Sequence, residues 1–230
     1  MFVDSSEQWL NEAITNDHIN FYEFNKFTFI KKIDEGGFGS VAKYKWNDAE
    51  LDVALKCRKV DKDLSGKMIR DFIQELKLLR KVANHKNIIG FHGITKDNDG
   101  HYNMILDCAN DGNLREYLQK NFSKLQWIQK LCIARDTVHG LMYLHENNIA
   151  HWDLHSKNIL IDNGRPMIAG FSLSKQINET LMTSNSKVHG MAAYIDPQCF
   201  FDEKYRRDMK SDIYSFGVIL WEISSGKPPF

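Results

Sequence analysis

The sequence predicts an α+β chain of two lobes, a small β-rich one followed by a larger, mainly helical one. Three observations carry this. From Phe27 to Asp107 the chain is dominated by short runs rich in β-branched and aromatic residues, broken by turn signals. After Asp107 the apolar residues recur at helical spacing over longer stretches. With 230 residues, 43% of them hydrophobic, there is enough chain to bury a core in each half.

Residues 1–26 read as an N-terminal extension. Ser5 and Gln8 have capping-box spacing, and Trp9, Leu10, Ala13 and Ile14 make one apolar stripe, so a short helix docked on the rest is expected. Residues 27–107 read as the first lobe. "FTFIKKI", "SVAKYKW" and "DVALKCRK" are strands, with "EGGFG" between the first two. The helix "SGKMIRDFIQELKLLRKVAN" follows, with Phe72, Leu76 and Leu79 on one face. "NIIGFHGITK" and "HYNMILDC" then flank the turn "DNDG". Residues 108–230 read as the second lobe. "NLREYLQKNF", "KLQWIQKLCIARDTVHGLMYLHENN" and "SDIYSFGVILWEISSG" are helices, and "NILI" and "PMIA" are strands joined by "DNGR". The junction of the lobes is the natural place for a ligand cleft.

Composition excludes several classes of function. Thirty basic residues balance thirty acidic ones, which gives no drive toward nucleic acid or an anionic membrane. The four cysteines, Cys57, Cys108, Cys132 and Cys199, are scattered without CxxC spacing. That argues against a zinc site or a disulfide framework and suits a reducing compartment. No signal peptide and no apolar run of membrane-span length is evident, so a cytoplasmic setting is expected.

Four stretches carry candidate chemistry. In Glu35-Gly36-Gly37-Phe38-Gly39, glycines would let backbone N–H groups approach phosphate oxygens, although a plain Gly-rich hairpin turn reads equally well. Lys56 follows apolar Val53 and small Ala54, and Glu75 lies within an apolar helix face. A lysine that grips phosphates needs such a carboxylate to orient it and keep it charged. In "HWDLHSKNIL", Asp153 and Asn158 stand five residues apart at the start of a strand. The carboxylate can accept a hydroxyl proton, the amide oxygen can ligate Mg²⁺, and Lys157 can lie near a transferred phosphoryl group. The fourth stretch, "MIAGFSLSK", looks like a metal-holding turn without its acid.

Taken together, in this order and spacing, these motifs resemble those of a eukaryotic protein kinase domain over residues 27–230. The wording is closest to the tyrosine-kinase-like group, with a fungal-type "DLHSKNIL". The resemblance implies ATP and Mg²⁺ as cofactors and a protein as substrate or partner. It assigns Lys56 to the α- and β-phosphates, Glu75 to Lys56, and Gly36, Gly37, Phe38 and Gly39 to the phosphate loop. It places Leu106 behind the adenine pocket. Asp107, Cys108 and Ala109 would form the hinge, and Ile33, Val41, Ala54 and Leu160 would sandwich the purine. Asp153 becomes the catalytic base, with Lys157 beside it. Asn158 becomes a metal ligand, and Asp212 the brace of the catalytic loop.

Several positions depart from the family pattern. Gly170 stands where the family carries the aspartate that holds Mg²⁺, so metal binding is expected to be weak or lost. Removing one preorganised electrostatic partner costs on the order of 10²–10³ in rate, against a typical kinase turnover of roughly 1–100 per second. Ser172 replaces the next glycine of that motif. Trp152 replaces an arginine that receives a phosphorylated activation loop, which puts in doubt any switch built on Thr180, Thr183, Ser184 or Ser186. Asp34 replaces the first glycine of the phosphate loop, Met191 a threonine, and Gln198 a glutamate. The family's last helices would lie beyond Phe230, so apolar surface is expected near "WEISSGKPPF". The expectation is a pseudokinase that binds ATP weakly and acts through protein contacts. The alternative is an active kinase of reduced turnover, acting on Ser/Thr more readily than on Tyr.

Overall fold

The structure is a computed structural model that describes residues 5–16, 18–36, 39–57, 65–177, 190–202, 205 and 207–229. The chain forms two compact units. One comprises Met1–Arg80 and Gly90–Cys108, the other Lys81–Ile89 and Ala109–Phe230. The first is β-rich and the second mainly helical, as the sequence patterning predicts.

The first unit contains helix α1 (Ser5–Thr15), strands β1 (Phe21–Glu23), β2 (Phe27–Gly36), β3 (Gly39–Trp46) and β4 (Leu51–Cys57), helix α2 (Ser65–Val82), and strands β5 (Phe91–Lys96) and β6 (Tyr102–Asp107). One six-stranded sheet runs in the order β1-β5-β6-β4-β3-β2. Five of its strands are the expected ones. The addition is β1, a three-residue edge strand parallel to β5 and too short to show a periodicity. Phe27, Trp46, Val53, Leu55 and Ile105 form a core cluster, with Tyr22, Phe24 and Tyr44 against it. Val53, Ala54 and Leu55 are buried in succession, so both faces of β4 are covered there. On α2, Phe72, Leu76 and Leu79 are buried, as their spacing requires. On α1, Leu10 and Ala13 are buried, and the Lys77 ammonium sits 4.1 Å from the centroid of the Trp9 ring.

The second unit contains helices α3 (Leu114–Asn121) and α4 (Trp127–Glu146), strands β7 (Ile149–Ala150), β8 (Ile159–Asp162), β9 (Arg165–Ile168) and β10 (Lys175–Gln176), and helices α5 (Gln198–Phe201) and α6 (Met209–Ser225). β8 and β9 pair antiparallel around Asn163 and Gly164, both at positive φ (50° and 72°), which is why "DNGR" makes so tight a hairpin. β7 and β10 form a second small antiparallel pair that no run in the sequence announced. α3 starts on Asn113, whose side chain accepts from Glu116 N. α6 starts on Asp208, which accepts from Lys210 N, and ends on left-handed Gly226. Lys81–Ile89 belongs to this unit because its backbone is tied to β9. Ile168 N donates to Asn87 O at 2.8 Å, and Ile89 N to Ile168 O at 2.9 Å.

α6 buries Ile219 and Ile223 but exposes Leu220 and Trp221, so apolar surface is present where "WEISSGKPPF" suggested it. α4 likewise exposes Trp127, Ile128 and Leu131. No described helix is long and apolar enough to cross a membrane.

Truncating Ile105→Ala in the first unit's core removes a fully buried side chain and leaves a cavity. A loss of about 2–5 kcal/mol is expected, read as a lowered urea midpoint of the intrinsic fluorescence transition.

Candidate functional site

Cross-strand register places several expected ligand-binding residues on one face of the first unit's sheet. Val41 pairs with Lys56 and Lys56 with Met104, while Ala54 pairs with Leu106. Directly paired residues share a face, as do residues two apart. Val41, Ala54, Lys56 and Leu106 therefore stand together. Lys56 Nζ donates to Glu75 Oε1 at 2.5 Å, which fixes the direction of the ammonium. Glu75 is almost fully buried and Lys56 largely so. Ile33 lies on β2 and is half exposed. Gly36 and Gly39 pair across the β2–β3 turn, with Gly39 at φ 121°. Gly37 and Phe38 lie outside the described residues. Asp34 is exposed, and its Oδ1 accepts from Glu35 N.

Asp107, at the end of β6, is held by local bonds. Its N–H donates to Gly90 O at 3.0 Å, and its carboxylate accepts from Gly90 N and meets His92 Nε2 at 2.8 Å. The His92 hydrogen bond holds the Asp107 carboxyl below the usual carboxylate range, against the opposing effect of burial. Cys108 and Ala109 follow without regular structure, and both are partly buried.

In the second unit the chain from His151 to Asn158 is organised by Asp212, which has no exposed surface. The Asp212 carboxylate accepts from His151 N and Trp152 N, each at 2.8 Å, and meets His145 Nε2 at 3.0 Å. Trp152 adopts φ 61°, an uncommon conformation for a bulky residue. Its carbonyl accepts from Arg207 Nη2 at 2.5 Å, and the guanidinium lies 5.7 Å from the indole centroid. A cation thus rests on the aromatic ring that stands in place of the family's arginine. Thr180, Thr183, Ser184 and Ser186 lie outside the described residues.

Asp153 and Asn158 are brought together. The Asn158 amide donates to Asp153 O at 2.8 Å, to Asp153 Oδ2 at 3.1 Å, and faces His155 Nε2 at 3.1 Å. Lys157 is exposed in a one-turn 3-10 helix, Ser156–Asn158. Leu160 is partly buried on β8 and bridges Asn113. Gly170 adopts φ 82°, ψ 46°. A Cβ added to Gly170 would fall 2.4 to 2.6 Å from Cγ, Oδ1 and Nδ2 of Asn158. The amide of Asn158 therefore packs into the space beside a residue that has no side chain. Mg²⁺ prefers hard oxygen donors and is commonly held by one or two carboxylates besides phosphates. The donors here are the Asn158 amide oxygen and the Asp153 carboxylate, with none from Gly170. Phe171 is buried, with its ring centroid 5.2 Å from that of His151 in an edge-on arrangement, and His151 Nε2 bonds Ala169 O at 2.9 Å. Ser172 lies in the 3-10 turn Phe171–Leu173 and is not at positive φ, so this turn makes no demand for glycine there.

A buried network beneath this loop escaped the sequence reading. Ser156 Oγ donates to Glu222 Oε2 at 2.9 Å, and Tyr194 OH also donates to Glu222. Arg115 reaches Ser156 Oγ at 3.1 Å and Tyr194 OH at 2.5 Å. Burial, with the bond to Glu222, pushes the Tyr194 phenol up to about 12. The available signal was Glu222 itself, a carboxylate inside the apolar run "VILWEIS", which had to find partners or cost several kcal/mol. Gln198 opens α5 exposed, its N–H on Asp196 Oδ1, and Met191 is partly buried.

Comparison with known proteins identifies the family. The family model described as protein tyrosine and serine/threonine kinase matches residues 27–230. A probable LRR receptor-like serine/threonine-protein kinase of Arabidopsis thaliana is 35% identical over 87% of the chain, which covers 21% of that relative. Calmodulin-binding receptor-like cytoplasmic kinase 1 of the same plant is 34% identical over 88% of the chain and 43% of its own length. Serine/threonine-protein kinase STY46, also from Arabidopsis thaliana, is 33% identical over 94% of the chain and 37% of its own length. The chain thus spans less than half the length of these relatives. It belongs to the protein kinase family, whose members use ATP and Mg²⁺ and act on protein substrates.

Two outcomes follow from the loop's construction. Asp212→Ala leaves buried donors without an acceptor and should cost about 3–5 kcal/mol in urea denaturation, whereas Asp212→Asn should cost less. Burial holds the His151 imidazole pKa below its ordinary value, despite the opposing charges of Asp212 and Asp153. The unfolded chain therefore takes up a proton that the folded one refuses. Stability should be fully present above about pH 6.5 and fall as the pH drops below it, by at most about 1.4 kcal/mol per pH unit for this group. Melting curves across that window should flatten in His151→Gln.

Proposed function

We propose that this chain is a pseudokinase module of the tyrosine-kinase-like group, which binds nucleotide weakly and acts through contacts with partner proteins. One observation carries the reading. At Gly170 the position expected to supply a metal carboxylate supplies nothing, and the Asn158 amide crowds the space a side chain would need. Phosphoryl transfer depends on positioning and charge neutralisation rather than on covalent help from the protein. An amide and a single carboxylate are the sparse end of the donor sets that hold Mg²⁺, and here that carboxylate is already bonded to the Asn158 amide. The loss amounts to at least the 10²–10³ associated with one preorganised partner. A cytoplasmic setting belongs to the same reading, supported by the scattered cysteines and balanced charge of the sequence.

A specific observation favours a second reading, an active kinase of low turnover. The Lys56–Glu75 ion pair is formed, and Asp153 and Asn158 are in contact. The relatives named as serine/threonine-protein kinases support a Ser/Thr rather than Tyr acceptor under that reading.

Thermal shift with ATP, with and without Mg²⁺, followed by a phosphate-transfer assay, separates the two. ATP should raise the melting temperature equally in both conditions, with transfer no faster than in Asp153→Asn. Mg²⁺-dependent transfer that Asp153→Asn abolishes would establish the second reading instead. Gly170→Asp is expected to make ATP stabilisation Mg²⁺-dependent as the Asn158 amide swings aside, since aspartate tolerates a left-handed backbone better than most residues. An unchanged response would show that Gly170 is not what limits metal binding.

A further inference from the structure

The sequence disfavours a zinc site because no two cysteines share a metal-ligand spacing. The fold, however, assembles a mixed donor set from separate strands of the first unit. Cys57 Sγ, an Asp97 carboxylate oxygen and a His101 ring nitrogen all lie within 4.8 Å of one another. Cys57 ends β4, while Asp97 and His101 flank the turn between β5 and β6.

Register explains the convergence. Cys57 pairs with Asn103, and Asn103 with Thr95, so these three side chains form a row on one face of the sheet. Asp97 is two residues after Thr95 and His101 two before Asn103, which puts both on that face. The turn then folds Asp97 and His101 together. His101 Nδ1 lies 3.6 Å from Asp97 Oδ1, while that oxygen accepts from Asp99 N at 3.1 Å and His101 N at 2.8 Å. Asn103 Nδ2 donates to Asp97 Oδ2 at 3.2 Å and orients the carboxylate, as outer partners do for metal ligands. Thr95 Oγ1, in the same row, is fully buried and has no hydrogen-bond partner among the described residues. Its environment is therefore polar but incompletely satisfied.

We propose that Cys57, Asp97 and His101 form a binding site for a thiophilic divalent transition metal, Zn²⁺ in particular. Thiolate, imidazole and carboxylate together select zinc over Mg²⁺ or Ca²⁺, which take oxygen donors alone. Tetrahedral zinc with bonds of about 2.0–2.3 Å requires its ligand atoms to stand roughly 3.3–3.8 Å apart, so the cluster closes by small side-chain rotations. Cys57 is buried, whereas the His101 side chain is 33% exposed, which gives an ion a way in and leaves the fourth position to water. Asp97 can serve with a lone pair not taken by the turn, since a carboxylate has about four acceptor sites. The Asx-type turn and the metal site are therefore compatible.

The test is a Co²⁺ titration of the full chain after chelator treatment, followed by competition with Zn²⁺. The expected result is one equivalent bound, a thiolate-to-cobalt charge-transfer band, and loss of that band on adding Zn²⁺ but not Mg²⁺. Cys57→Ser should remove the band, and His101→Gln should weaken binding at least tenfold, the scale seen for damaged metal sites. Because Cys57 is buried, circular dichroism must show that Cys57→Ser is folded. If it is not, the partly exposed His101 carries the test alone. The proposal is overturned if the native chain binds no cobalt at micromolar concentration. It is equally overturned if the band survives Cys57→Ser, since the other cysteines would then be the source, or if His101→Gln binds as tightly as the native chain.

Discussion

A carboxylate taken wholly out of water has to be surrounded by donors, because its desolvation costs several kcal/mol. Asp212 meets that demand with the N–H groups of His151 and Trp152 and the ring of His145. These two N–H groups belong to the residues just before Asp153, so the buried charge on α6 fixes where the candidate base begins. The left-handed backbone at Trp152 costs on the order of 1–3 kcal/mol and is sustained because Asp212 and Arg207 grip it from both sides. His151 passes the constraint onward. Its ring bonds Ala169 O, and its carbonyl accepts from Ser174 Oγ at 3.0 Å. The turn containing Gly170 is thereby tied to the same carboxylate.

This chain of dependence accounts for how an acid can be absent from Gly170 while the frame persists. The turn is tethered through its neighbours, among them Ala169 through its N–H and carbonyl, Phe171 through a ring packed on His151, and Ser174 through its hydroxyl. None uses a side chain at position 170. A glycine there also takes φ 82° without the penalty a Cβ brings. Holding this turn in place therefore does not require a side chain at position 170. The Asn158 amide is turned toward Asp153 and packs beside Gly170.

Most of the fold was legible because each long element carries its own period. Phe72, Leu76 and Leu79 announce α2, and "DNGR" with two residues at positive φ announces the β8–β9 hairpin. Elements held only by distant contacts were not. β1 exists through its parallel pairing with β5, and the β7–β10 pair is two residues deep. Lys81–Ile89 looks like the continuation of the first lobe in sequence, yet its backbone bonds go to β9. The candidate site divides in the same way. Motif spacing singles out Lys56, Glu75, Asp153 and Asn158, and the first two and the last two are in contact. It does not single out the Ser156, Tyr194, Arg115 and Glu222 network, since its members are brought together only by folding. The steric conflict between Asn158 and any side chain at Gly170 is likewise a fact of three dimensions.

The Cys57, Asp97 and His101 cluster is the strongest instance of that limit, and strand geometry explains why it matters beside Lys56. Successive residues of a strand point to opposite faces. Lys56 turns toward Glu75, so Cys57, the next residue, turns to the face that carries Asn103 and Thr95. One end of β4 therefore presents an ammonium on one side and a thiol on the other. An ion held by the thiol, the imidazole and the carboxylate would tie the end of β4 to the turn between β5 and β6. The backbone that aims Lys56 would then be restrained from the face that the lysine does not use. Metal occupancy and the Lys56–Glu75 pair would act on the same few residues of strand, which makes the orientation of Lys56 the property most directly exposed to the metal.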